Sequence, residues 1–201
     1  MRPRTLLLSL ATVAFATAAF AQDPNIITDS PDEFQVRYVS NLNKGDSYVN
    51  ITNTGSADGL SLCALVFAFD PSEEMVSCCA CPVTPNALVS LSVQGDLISN
   101  TISPSTPTSL VIKLVSIIAD NGTCVPNTPG VLVPGMRAWG TSLHALPAGT
   151  YGVTETAFLP GGLSEAEAIH LFDFCDFINN NGSGFGICKS CRVGGLGGAK
   201  Q

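Results

Sequence analysis

The 201 residues carry 16 acidic and 9 basic side chains, a formal charge of −7, and no basic patch that would displace phosphate counterions, which argues against nucleic acid as a partner. Charged residues make up only 12% of the chain, sparse for a freely soluble monomer, so either the surface is rich in Ser, Thr, Asn and Gly or some apolar surface meets a partner. The longest apolar run beyond the N-terminal segment, Leu110 to Ala119, contains Lys113 and falls far short of the roughly 20 residues of a membrane helix, so no transmembrane segment is expected in the mature chain.

Residues 1–21 read as a signal peptide. Arg2 and Arg4 precede an apolar run from Leu6 to Phe20, and Ala19-Phe20-Ala21 supplies the small-x-small ending. Cleavage near Ala21 sends the protein to the periplasm, the cell surface or the medium, and loss of the two arginines takes the formal charge to −9. No cysteine closely follows that site, so a lipid anchor is not expected. Residues 22–32, with Pro24, Pro31 and three aspartates, lack periodicity and read as a flexible arm.

Residues 33–193 read as one β-sandwich domain. Phe34, Val36 and Tyr38 alternate with Gln35 and Arg37, and Val49 and Ile51 with Asn50 and Thr52, as in half-buried strands. Leu60 to Phe69 is apolar on both faces, Leu62, Ala64 and Val66 on one and Cys63, Leu65 and Phe67 on the other, which predicts a central strand. Ser72 to Val76 is expected to make one helical turn. Val89, Leu91 and Val93 alternate with serines, Gln94-Gly95-Asp96 turns the chain and Leu97 to Ile102 returns, giving a hairpin. Further strands are expected at Leu110 to Ala119, Val131 to Val133, Met136 to Leu143 and Tyr151 to Phe158, separated by Gly, Pro and Asn turns.

One helix is expected, over 164–180. Ser164 and Glu167 form a Ser-x-x-Glu capping box, and Ala168, Leu171, Phe172, Cys175 and Ile178 share a face. A disulfide-rich stretch follows, and residues 194–201 read as a Gly-rich flexible tail. Eight or nine short strands with no intervening helices predict an all-β fold, a sandwich of Ig-like or jelly-roll-like type with one C-terminal α-helix.

All eight cysteines, Cys63, Cys78, Cys79, Cys81, Cys124, Cys175, Cys188 and Cys191, lie in the mature chain. An even count in an exported protein fits structural disulfides. On an extended segment Cys79 and Cys81 leave one face and Cys78 the other, so Cys78-Cys79-Ala80-Cys81-Pro82 reads as a knot between two layers. Sequence does not choose among the 105 complete pairings of eight cysteines; a turn after the helix favours a local bridge from Cys175 to Cys188 or Cys191, with Cys63, Cys124 and the other terminal cysteine joined to the central cluster. The competing reading is metal or redox chemistry at two Cys-x-x-Cys pairs, Cys78 with Cys81 and Cys188 with Cys191. About a hundred residues separate the pairs, far more than in compact zinc ribbons.

Two histidines are available for acid–base work. His170, flanked at three residues by Glu167 and Asp173, reads as a solvated salt pair. His144, on a predicted strand, reads as a hydrogen-bonded structural histidine, or in the alternative as the base of a hydrolase. Asp32/Glu33 and Glu73/Glu74 read as loop charges rather than calcium ligands. Sequons for glycosylation stand at Asn50, Asn121 and Asn181. No catalytic residue and no cofactor is indicated.

The stretches Phe69-Asp70-Pro71-Ser72-Glu73-Glu74, Cys78 to Asn86, Arg137-Ala138-Trp139-Gly140-Thr141 and Gly184 to Cys191 resemble those of secreted cysteine-rich bacterial proteins with no assigned activity. The resemblance covers most of the mature chain, implies a bacterial exported setting and transfers no functional residue. The sequence therefore points to a secreted, disulfide-stabilised, non-catalytic protein of the envelope or exterior, a surface-binding module or an assembly subunit. Its expected partners are a second copy or another envelope protein, reached in one version by the arm or the strand after it adding to a neighbour's sheet edge.

Overall fold

The computed structural model describes residues 25–189 and 191–193; the expected signal peptide, residues 22–24 of the arm and the tail 194–201 lie outside the described residues. In chain order the elements are β1 Ile26–Thr28, β2 Phe34–Val39, β3 Tyr48–Asn53, β4 Leu62–Phe69, β5 Met75–Val83, β6 Leu88–Ser92, β7 Leu110–Ile118, β8 Met136–Ala145, β9 Tyr151–Ala157, β10 Leu159–Pro160, β11 Leu163–Ser164, α1 Glu165–Asn180 and β12 Arg192–Val193. Two five-stranded antiparallel sheets, ordered β10-β2-β7-β4-β5 and β12-β6-β3-β8-β9, stack face to face. The molecule is an all-β sandwich with one C-terminal helix, as expected.

Helix α1 adds a third layer. Leu62, Ala64 and Val66 of β4 enter the core between the sheets with Ile51, Leu91 and Met136. Cys63, Leu65 and Phe67 enter a second core with Leu171, Cys175 and Ile178 of the helix. Every residue of β4 is buried, because a strand covered on both faces must be apolar on both. Ser164 caps the helix, its Oγ accepting from the amide of Glu167 at 3.2 Å. The reciprocal half of the capping box is not made: the Glu167 carboxylate pairs with Lys113 of β7, tying helix to sheet.

Several local expectations are corrected. The stretch Ser72 to Val76 is no helical turn: Asp70 Oδ1 accepts from the amides of Ser72 and Glu74 at 2.8 and 3.1 Å, closing a tight turn that launches β5 at Met75. The hairpin after Val89 is also absent. Asp96, buried at 1% exposure, accepts from the Ser92 amide at 2.7 Å and folds Val93–Leu97 into a single π-helical turn, so Leu97 to Ile102 does not return as a strand. Val131 to Val133 is reduced to one bridge, Leu132 with Ile117. Pro82 sits inside β5, tolerated because β5 is the edge of its sheet. Residues 25–32, read as part of a free arm, are docked on their own chain: β1 pairs with β11, the Glu165 amide donates to Asn25 O at 2.8 Å, and Asp32 forms an ion pair with Arg137.

The two open sides of the sandwich differ. At the β5/β6 side, the chain leaving α1 runs back along β5, Cys78 donating to Gly186 O and Cys188 to Cys78 O, and then pairs with β6 as β12. The opposite side, between β10-β2 and β8-β9, has no such cover among the described residues.

Candidate functional site

Four disulfides join Cys63 to Cys124, Cys78 to Cys175, Cys79 to Cys188 and Cys81 to Cys191, with Cα–Cα separations of 5.5, 5.8, 5.4 and 5.5 Å. The alternation of β5 divides its cysteines: Cys79 and Cys81 face the core between the sheets and Cys78 faces the helix. The expected local bridge from Cys175 is overturned. The buried stripe of α1 places Cys175 over Cys78, whereas the returning tail carries Cys188 and Cys191 around the edge of β5 into the sandwich interior. Cys63 and Cys124 bond each other and not the central cluster. The four cysteines of the two Cys-x-x-Cys pairs thus belong to three separate bridges and do not converge on one point.

The uncovered side holds a cavity of about 620 Å³, and its residues come from strands β2, β8, β9 and β10. Here the period-2 reading of β2 has a surprising outcome. Gln35 and Arg37 face inward and are buried, while Tyr38 is 61% exposed. Gln35 Nε2 donates to Met136 O at 2.9 Å. Arg37 reaches across to the other sheet: Nη1 donates to Thr156 O and Oγ1 at 2.5 and 2.6 Å and Nη2 to Ser142 Oγ at 3.1 Å. Its guanidinium lies 5.7 Å from the Phe158 ring centroid, close enough for a cation–π contact. Burial pushes the guanidinium's pKa down and the charge of Glu155 opposes this.

Along β8 the inward residues change from apolar to polar. Met136 and Ala138 lie in the core, Gly140 brings β8 close to β3, and Ser142 and His144 open into the cavity. His144 Nε2 lies 2.7 Å from Thr154 Oγ1. No carboxylate bonds the imidazole among the described residues, and Ser142 Oγ is held by Arg37 rather than by the histidine. The pair is thus not arranged as nucleophile and base. Nothing in the sequence pattern marked Arg37 or Thr156; the available signal was an arginine on an otherwise half-apolar strand.

The remaining candidates fall elsewhere. Among the described residues His170 makes no salt pair; it stacks on Phe69 at 6.0 Å and tilts against Phe174 at 4.6 Å between centroids, while Glu167 is committed to Lys113. Asn50 is buried in β3 and accepts from Ser90 Oγ at 2.6 Å, which removes it as a glycan acceptor, whereas Asn121 and Asn181 stand at exposed turns. Asp32 is paired with Arg137 and Glu33 accepts from Thr28 Oγ1, while Glu73 and Glu74 are exposed. Comparison with family models, with curated proteins and with solved structures found no match to this chain.

Proposed function

We propose that the chain is an exported, non-catalytic binding protein of the cell envelope or exterior, whose ligand enters the open mouth between β2 and β8-β9. The observation that supports this reading most directly is the contrast between the two sides of the sandwich. One side is laced by two disulfides and a returning tail, and the other keeps a concave space of ligand size lined by hydroxyls, an imidazole and a fixed guanidinium. Four disulfides suit an oxidising compartment, where a rigid scaffold holds a binding surface without ordering cost at each encounter.

The test is retention of envelope and secreted material on immobilised oxidised protein, compared with a Thr154→Trp variant that fills the mouth from an exposed strand position. Retention that is lost in the variant is the expected result. Equal retention by both proteins moves the function off the mouth, and turnover of ester or glycoside substrates that disappears in His144→Ala overturns the non-catalytic reading.

A further inference from the structure

The mouth holds a buried guanidinium that Glu155 offsets through its charge but does not contact as an ion pair. Arg37 is 7% exposed, and no carboxylate lies within ion-pair distance of it among the described residues. Taking a cation out of water is costly, and an anion that reached the guanidinium would offset part of that cost. The hydrogen bonds around it bias the cavity further. Ser142 Oγ and Thr156 Oγ1 both accept from the guanidinium, so their own O–H protons are left to donate to a third group. His144 and Thr154 share one hydrogen bond; in either tautomer one N–H or O–H of the pair remains over. Arg37 Nε, buried beside Gly140, makes no hydrogen bond among the described residues. The cavity therefore offers donors and one positive charge, and asks for an acceptor with one negative charge.

We propose that this mouth binds a carboxylate carried on a small ring, with the carboxylate against the Ser142 and Thr156 hydroxyls and the guanidinium. The inference rests on the reading of the mouth as a binding site. The ring lies on the apolar wall of Val36, Leu159 and Pro160, with exposed Tyr38 at its rim. A volume of about 620 Å³ suits one ring with its substituents. A monoanion matches the single cation, whereas a phosphate dianion brings a second charge into a mouth already under the field of Glu155. Sugar acids and aromatic acids share this chemistry.

Isothermal titration of the full oxidised protein with galacturonate, benzoate, galactose and inorganic phosphate distinguishes them. At least one carboxylate is expected to bind with one site per chain, and galactose and phosphate at least tenfold more weakly. Benzoate alone identifies an aromatic acid, galacturonate alone a sugar acid, and either supports the proposal. Ser142→Ala and Thr156→Val, which leave Arg37 in place, are expected to weaken the carboxylate about tenfold. Equal binding of galactose and galacturonate keeps the mouth as a binding site but overturns the carboxylate. Phosphate binding tighter than both acids, or no heat from either acid, overturns it as well, while the Thr154→Trp retention experiment separately decides whether the mouth binds anything.

Discussion

Gly140 stands where two requirements meet. It pairs with Val49 across the β3–β8 ladder, and a Cβ at this position would run into the carbonyl oxygen of Tyr48 and lie 3.4 Å from Arg37 Nε. The backbone oxygen cannot yield as a flexible side chain would, so the sheet itself must open. Gly140→Ala is expected to cost about 3 kcal/mol in urea unfolding, at the upper end of overpacking effects. Gly162→Ala is the control, because its Cβ meets nothing closer than Ile26 Cδ1 at 3.5 Å, and its midpoint is expected to shift little. Comparable losses in the two variants would show that the close approach at Gly140 is not what constrains β8. At the same scale Arg37 shows why its role was illegible in sequence. Alternation along Phe34 to Val39 tells which side chains share a face, but with helix and sheet covering different parts of β2 it does not tell which face enters the sandwich. The polar face did so, supported by hydrogen bonds to the other sheet that no local pattern encodes.

The helix was the most legible element, and its reasons are local: Ser164 at the cap, acids in the first turn, and an apolar stripe through Leu171, Cys175 and Ile178. Strand β4 was legible for the opposite reason, since a segment apolar on both faces has few places other than between two layers. What sequence could not supply was the register between layers, and the disulfides depend on it. Cys175 bonds Cys78, 97 residues away, because the helix packs on the sheet, and not one of the nearer cysteines after its own C-terminus. Likewise Gly95-Asp96 looked like a hairpin turn, yet the Asp96 carboxylate captured the Ser92 amide and wound the backbone inward. Two changes separate local from layer contributions to α1. Ser164→Ala removes a single cap bond and is expected to cost about 1 kcal/mol. The double change Cys78→Ala with Cys175→Ala leaves Cys79–Cys188 in place, so it frees only a short loop in the unfolded chain and is expected to cost about 3 kcal/mol on the chain-entropy model. Denaturant titrations that place the two losses in the reverse order would mean that the cap, not the bridge, fastens the helix layer.

At the scale of the whole molecule, the sandwich is fastened asymmetrically. Cys79–Cys188 and Cys81–Cys191 close the β5/β6 side, and backbone bonds from Gly186 to Cys188 and the β12–β6 pairing cover strand edges there that would otherwise invite another chain. The far side is held by Gln35 and Arg37 bridging to β8 and β9, with no covalent link among the described residues. β9 forms an outer edge of its sheet and is largely exposed. Such a division lets the scaffold stay rigid while the mouth remains accessible. It also predicts that damage to one side is not transmitted at full strength to the other. In Cys81→Ala with Cys191→Ala, hydrogen–deuterium exchange is expected to rise most at β12, β6 and the end of β5. The amides of β2 and β8 should exchange at rates set by the lowered global stability alone. Affinity of the mouth for the proposed carboxylate, measured well below the unfolding midpoint, should stay within twofold of the parent, since none of the lining groups touches that bridge. A local rise in exchange centred on Arg37 and Ser142, or loss of mouth binding in a protein that is still folded, would show that the laced side positions the open one and that the two cannot be treated as separate devices.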